Sequence, residues 1–220
     1  GKMGFNVVLV GAQWGDEGKG KIVDVLAEFF NIIARYQGGP NAGHTVIHKM
    51  KKLVLQLLPC GVLRPGKISV LGSGVVFNPK SFVKELDSLS QVGLQPGNQL
   101  RISHNAHLIL PYHLAVEKTG KGVREQQKIG TTAKGIGPAY EDKMGRRGLR
   151  ICDLVNPKHF HLKFTEFAKE KYSTGTISES EFTSTPVVAD EYLELAPRIL
   201  PYLTDTSHFL NQEISKGKSV

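Results

Sequence analysis

Two carboxylates in the middle of a glycine-rich stretch are the residues of this chain best placed to do chemistry. Val7-Val8-Leu9-Val10 empties into Gly11-Ala12-Gln13-Trp14-Gly15-Asp16-Glu17-Gly18-Lys19-Gly20-Lys21. A strand, a glycine loop and a helix start in that order cradle phosphate through backbone N–H groups and the positive end of the helix. Asp16 and Glu17 are unfavourable beside an anion unless a cation or a proton transfer needs them there. The stretch departs from the usual phosphate loop: Gly15 to Gly18-Lys19 is two residues short, and Gly20 stands where the metal-binding hydroxyl belongs. Asp16 thereby becomes the candidate metal ligand. A tight turn between strand and helix is the plain alternative. The three glycines and two lysines of residues 15–21, and the apolar helical pattern over residues 22–30, favour phosphate binding.

A second strand and loop repeat the arrangement. Ile32-Ile33-Ala34-Arg35-Tyr36 reads as a short buried strand, opening into Gln37-Gly38-Gly39-Pro40-Asn41-Ala42-Gly43-His44-Thr45. Parallel α/β sheets bind ligands at this carboxyl edge. A lone histidine is more often structural than catalytic. His44, flanked by Gly43 and Thr45, could nevertheless supply the acid that matches a base at Asp16. The third segment, Ile129-Gly130-Thr131-Thr132-Ala133-Lys134-Gly135-Ile136-Gly137-Pro138-Ala139-Tyr140-Glu141-Asp142-Lys143, is expected to be a loop, being rich in Gly and Thr. Its threonine hydroxyls suit phosphate contacts. Arg146 and Arg147 follow as forked donors for a phosphate or a partner subunit, or as a solvated basic turn.

Together these segments resemble adenylosuccinate synthetase. The resemblance rests on GDEGKGK at residues 15–21, QGGPNAGHT at 37–45 and IGTTAKGIGPAYEDK at 129–143, with support from Leu71-Gly72-Ser73-Gly74-Val75-Val76 and Arg146-Arg147-Gly148-Leu149-Arg150. It implies a GTP-dependent ligase joining IMP to L-aspartate, with adenylosuccinate, GDP and phosphate as products. By the same resemblance Asp16 is the base and His44 its partner in catalysis. GTP would lie along Gly15, Asp16, Glu17, Gly18, Lys19, Gly20, Lys21, Gly43, His44 and Thr45. IMP would contact Asp16, Glu17, Gly18, Lys19, Asn41, Ala42, Gly43, His44, Thr132 and Arg146. Mg²⁺ would be held by Asp16 and the Gly43 carbonyl, and Arg146 would reach the neighbouring active site of a homodimer. Pro40 and Ala133-Lys134 depart from common family residues. The family's chains are about twice this length, so the 220 residues are expected to form the amino-terminal half of a larger single catalytic domain, with Gly1-Lys2 an expression remnant.

These elements imply an α/β fold of P-loop-NTPase type, a mostly parallel sheet with a small hairpin and the glycine loops at one edge. Residues 45–49 and 53–58 read as the hairpin strands, joined by Met50-Lys51-Lys52. Residues 81–89 read as a peripheral amphipathic helix, and 118–128 as a mobile lid. A helix is expected after Asn156-Pro157, with His159 and His161 on its solvated face. Residues 173–185 read as a surface loop. Residues 203–216 read as a helix stopped by Gly217, with a strand starting at Lys218.

The formal net charge of +8 suits polyanionic ligands. It also admits a basic nucleic-acid-binding domain. The lysines are dispersed, aromatic residues are 8% of the chain and no nucleic-acid-binding motif is present, so that reading is disfavoured. A nucleotide-binding module without catalysis is the other alternative. No apolar run is of membrane-spanning length. His104 and His107 lack a third ligand in sequence and read as surface or packing residues. Cys60 and Cys152 lack metal-site spacing and read as reduced thiols, which points to the cytoplasm.

Overall fold

The computed structural model describes residues 7–10, 30–39, 44–119 and 134–218. Five strands form the path of a parallel sheet: β1 (Val7–Val10), β2 (Ile32–Gly38), β5 (Ile68–Phe77), β6 (Leu100–Ser103) and β8 (Leu203–Thr204), adjacent in that order. A short β7 (His107–Leu108) extends the pairing along the last residues of β5. The hairpin of β3 (His44–His48) and β4 (Lys51–Leu55) stands apart as an antiparallel pair. The expected mostly parallel α/β architecture with a hairpin addition is what the chain adopts.

The apolar content of β5 explains its central place. Val70, Leu71, Val75, Val76 and Phe77 are all fully buried, as a parallel strand covered on both faces requires. One face is covered by α1 (Pro79–Gln91), α4 (Pro157–Ser173) and α6 (Thr185–Ile199), which bring Phe82, Phe160, Phe164 and Tyr192 into the main core. Elsewhere α7 (Thr206–Lys218) lays Phe209 and Leu210 against Ile32, Ala34 and Val70, while α3 (Ile136–Met144) seats Ala139 on Val76 and Ile109. The other described α-helices are α2 (Pro111–Thr119) and the short α5 (Glu179–Thr183).

Local chemistry sets the element ends. Asn78 and Asn156 cap α1 and α4 by accepting the N–H of Ser81 and His159, each followed by a first-turn proline. Glu85, buried on α1, accepts the N–H groups of Gln56, Leu57 and Leu58 and so fixes the end of β4 to that helix. Burial raises its pKa against the lowering effect of those bonds.

Several expectations are corrected. The hairpin turn is Lys49-Met50, both with positive φ (48° and 65°), the tight two-residue form that matches strand twist. Lys51 and Lys52 therefore belong to β4. Residues 136–144 are helical although the whole segment was expected to be a loop: Gly135, at φ 76°, starts the helix, and Pro138 sits in its first turn where its missing N–H costs nothing. Residues 173–185 contain α5, held by a reciprocal capping box between Ser178 and Glu181. The helix at 81–89 is longer and buries Phe82, Glu85, Leu86 and Leu89, so it is core and not peripheral. Leu203 is a strand residue, and α7 runs through Gly217 to Lys218. His159 and His161 lie on the partly solvated face of α4 as expected, where they meet Asp153 and Asp190. The predicted helix over 22–29 and most of the predicted lid (120–128) lie outside the described residues, and residue 30 carries no regular structure.

Candidate functional site

The carboxyl ends of β2 and β5 meet at a cluster of glycines. A register shift between Arg35 and Gln37 leaves Gly72 and Ser73 of β5 opposite Tyr36 alone, a bulge on β5 after which Gly74 pairs with Gln37. A Cβ at Gly74 would collide with the Tyr36 carbonyl, so only glycine fits there. Gly39 is packed as closely: a Cβ on it would stand 2.7 Å from Val76 Cγ2. The strands can approach each other at this edge because the side chains are missing.

Tyr140, on α3, ties the two strand ends together. Its hydroxyl accepts the Gly38 N–H at 2.7 Å and donates to the Gly74 carbonyl at 2.6 Å. Arg35 Nη2 donates to the Gly39 carbonyl at 2.9 Å, and Lys143 Nζ to the Ser73 carbonyl at 3.1 Å. Burial raises the Tyr140 pKa, so the phenol keeps the proton it donates. α3 is thus the clamp of the sheet edge.

A buried polar cluster holds the clamp. Asp142, 1% exposed, accepts Lys171 Nζ from α4 at 2.9 Å and faces His113 Nε2 of α2 at 2.6 Å. The Leu110 N–H donates to His113 Nδ1, which leaves the proton on Nε2 to donate to Asp142. Burial lowers the His113 pKa despite the pull of Asp142. Burial alone would raise Asp142, but its bonds and charge contacts with His113 and Lys171 outweigh that and hold the carboxylate below its ordinary range. A neutral histidine and one ammonium therefore satisfy one buried carboxylate, and three helices are fixed to one another.

Of the residues proposed from sequence, His44, Thr45 and Arg146 lie within the described residues. His44 opens β3 opposite Leu55, with Thr45 opposite Val54 and exposed. Arg146 is exposed just beyond α3, with φ 56° in the left-handed region. That strained backbone is held from behind, since the Arg147 N–H donates to the Asp142 carbonyl at 2.8 Å. Gly15, Asp16, Glu17, Gly18, Lys19, Gly20, Lys21, Asn41, Ala42, Gly43 and Thr132 lie outside the described residues. Among the described residues no group of three or more His, Cys, Asp or Glu could hold a metal ion. No described helix is long and apolar enough to cross a membrane.

Sequence reasoning gave no role to Tyr140, His113, Asp142 or Lys171. Tyr140 and Asp142 lie inside the third quoted motif, whose tyrosine and acidic run were its only signal. His113 and Lys171 are distant in sequence, and nothing in their spacing links them to Asp142.

A parallel α/β sheet with close-packed glycines at the carboxyl ends of its central strands belongs to the class of proteins that bind ligands at that edge. A family model described as adenylosuccinate synthetase matches residues 8–220. An adenylosuccinate synthetase of Koribacter versatilis is 49% identical over 221 residues, covering 99% of this chain and 49% of that protein. One of Streptococcus sanguinis is 48% identical over 219 residues, covering 98% and 50%. The structure of fully ligated adenylosuccinate synthetase from Plasmodium falciparum superposes with a TM-score of 0.80 at 34% identity, over 97% of this chain and 50% of that one. The chain belongs to the adenylosuccinate synthetase family. It spans about half the length of the relatives it matches.

Proposed function

We propose that this chain supplies the phosphate-binding half of a GTP-dependent ligase that joins IMP to L-aspartate. The observation that carries the reading is the clamp of α3 on the carboxyl ends of β2 and β5, the sheet edge from which the second glycine segment departs at Gly38. The chain corresponds to the amino-terminal half of a longer catalytic domain working in the cytoplasm as a homodimer. Asp16 takes the proton from the purine ring nitrogen of IMP. The neighbouring oxygen then attacks the γ-phosphorus of GTP, and the bond to GDP breaks. His44 donates a hydrogen bond as charge develops in that transfer. The amino group of L-aspartate next attacks the activated carbon and displaces phosphate, giving adenylosuccinate.

The loop backbone of residues 15–21 and of Gly43, His44 and Thr45 orients GTP. Asn41, Ala42 and Thr132 orient IMP together with Asp16, Glu17, Gly18 and Lys19. Exposure of Arg146 beyond the clamped helix supports its role in reaching the IMP phosphate of a second subunit. The Asp16 carboxylate and Gly43 carbonyl are hard oxygen donors of the kind Mg²⁺ takes. When bound there, Mg²⁺ neutralises charge on the phosphates.

An absorbance assay for adenylosuccinate with IMP, L-aspartate, GTP and Mg²⁺ tests the reading, using this chain and a form extended to the relatives' length. Product that requires all three substrates in the extended form is expected. GTP binding without product in either form would overturn the ligase in favour of a nucleotide-binding module.

A further inference from the structure

Glu85 shares the buried face of α1 with Phe82, Leu86 and Leu89, where an apolar residue would pack without the cost of desolvating a charge. Its carboxylate serves the chain that leaves the hairpin. Oε1 accepts the N–H groups of Gln56, Leu57 and Leu58 at 2.5, 3.0 and 3.3 Å, and Oε2 accepts that of Leu57 at 3.1 Å. Leu57 and Leu58 are 0% and 3% exposed, so water cannot take the place of the carboxylate there. β4 ends at Leu55, and Leu55 is the register partner of His44 at the start of β3. The first N–H that Glu85 holds, that of Gln56, is therefore next in the chain to the residue paired with His44.

We propose that Glu85 is a positioning residue for phosphoryl transfer, setting through Leu55 the backbone that carries His44. The inference rests on the ligase reading above, in which His44 supports that transfer. A carboxylate offers lone pairs on both oxygens, whereas an amide in its place would set an NH₂ group against one of the N–H groups it must receive. Residues 56–58 would then be laid differently, and the pair at the open end of the hairpin would shift with them. A misplacement of about 1 Å can cost about 100-fold in rate.

A double-mutant cycle with His44 tests the proposal, in the form extended to the relatives' length. Glu85→Gln should lower kcat for adenylosuccinate at least about 10-fold, with KM for IMP and GTP within about threefold. In a His44→Ala background the same change should lower kcat less than about twofold, because the group it places is already gone. Equal losses in the two backgrounds would overturn the proposal, since they would show a structural effect that does not pass through His44. An unchanged kcat in Glu85→Gln would overturn it too. Glu85→Asp keeps the carboxylate one methylene short and should lose less than Glu85→Gln. It carries the same cycle if the glutamine variant does not fold. No adenylosuccinate from the unsubstituted form would overturn the ligase reading and this inference with it, whereas product with equal losses in the two backgrounds overturns the inference alone.

Discussion

In the proposed reaction Asp16 does the chemistry while Tyr140 supports the site, and substitution should separate the two. Asp16→Asn keeps the size of the side chain and removes the proposed base. Adenylosuccinate formation by the form at the relatives' length should fall at least about 100-fold while GTP affinity, read by calorimetry, changes only a few-fold. Retained turnover would remove Asp16 from the base role. His44→Ala should likewise lower turnover about 100-fold, and an unchanged rate would make His44 structural. Tyr140→Phe touches no substrate. It deletes the bonds to the Gly38 N–H and the Gly74 carbonyl and should cost about 1–3 kcal/mol in urea unfolding.

At the scale of elements, α3 is held by charge as well as by packing. Lys171→Met leaves the buried Asp142 carboxylate with a neutral histidine and the half-exposed Arg147 guanidinium at 3.9 Å, and a broken buried pair costs about 3 kcal/mol or more. Urea denaturation of the variant should show that loss, and a change below about 0.5 kcal/mol would mean the pair is not holding the helix. The same elements show what the sequence could and could not tell. β2, the hairpin and the cap of α4 were legible because apolar runs, glycine punctuation and the Asn156-Pro157 pair act locally. The helix at 136–144 was not, since a run with Gly135, Gly137 and Pro138 argues for a loop until Tyr140 and Asp142 are seen to be anchored by tertiary bonds. α5 was hidden in a polar Ser- and Thr-rich stretch whose capping box was overlooked. β8 is two residues long and exists through its pairing with β6, which no local pattern encodes. For the site, the glycine motifs pointed to the edge, whereas the cluster behind α3 joins residues far apart in the chain.

Over the whole molecule, buried titrating groups set the response to acid. Burial, with Lys143 and Arg150 nearby, pushes the His107 pKa from 6.5 down to about 4. Between those values the unfolded chain binds more protons than the folded one, so stability should rise with pH across this window. His113 adds to the same slope, its pKa also being lowered by burial. His107→Asn should flatten the dependence of the urea midpoint on pH between about 4 and 6.5, and an undiminished slope would contradict the assignment. Asp142, held below its ordinary 3.8, contributes stability that is present above that value and lost as pH falls through its lower folded pKa. The central claim is that the sheet edge clamped by α3 is the nucleotide site, and hydrogen–deuterium exchange with and without GTP, IMP and Mg²⁺ tests it most directly. Slower exchange is predicted in residues 15–21, 38–45, 73–76 and 136–147, with little change along α6 and α7. Protection confined to α6 and α7, with the edge unaffected at saturating nucleotide, would contradict the account.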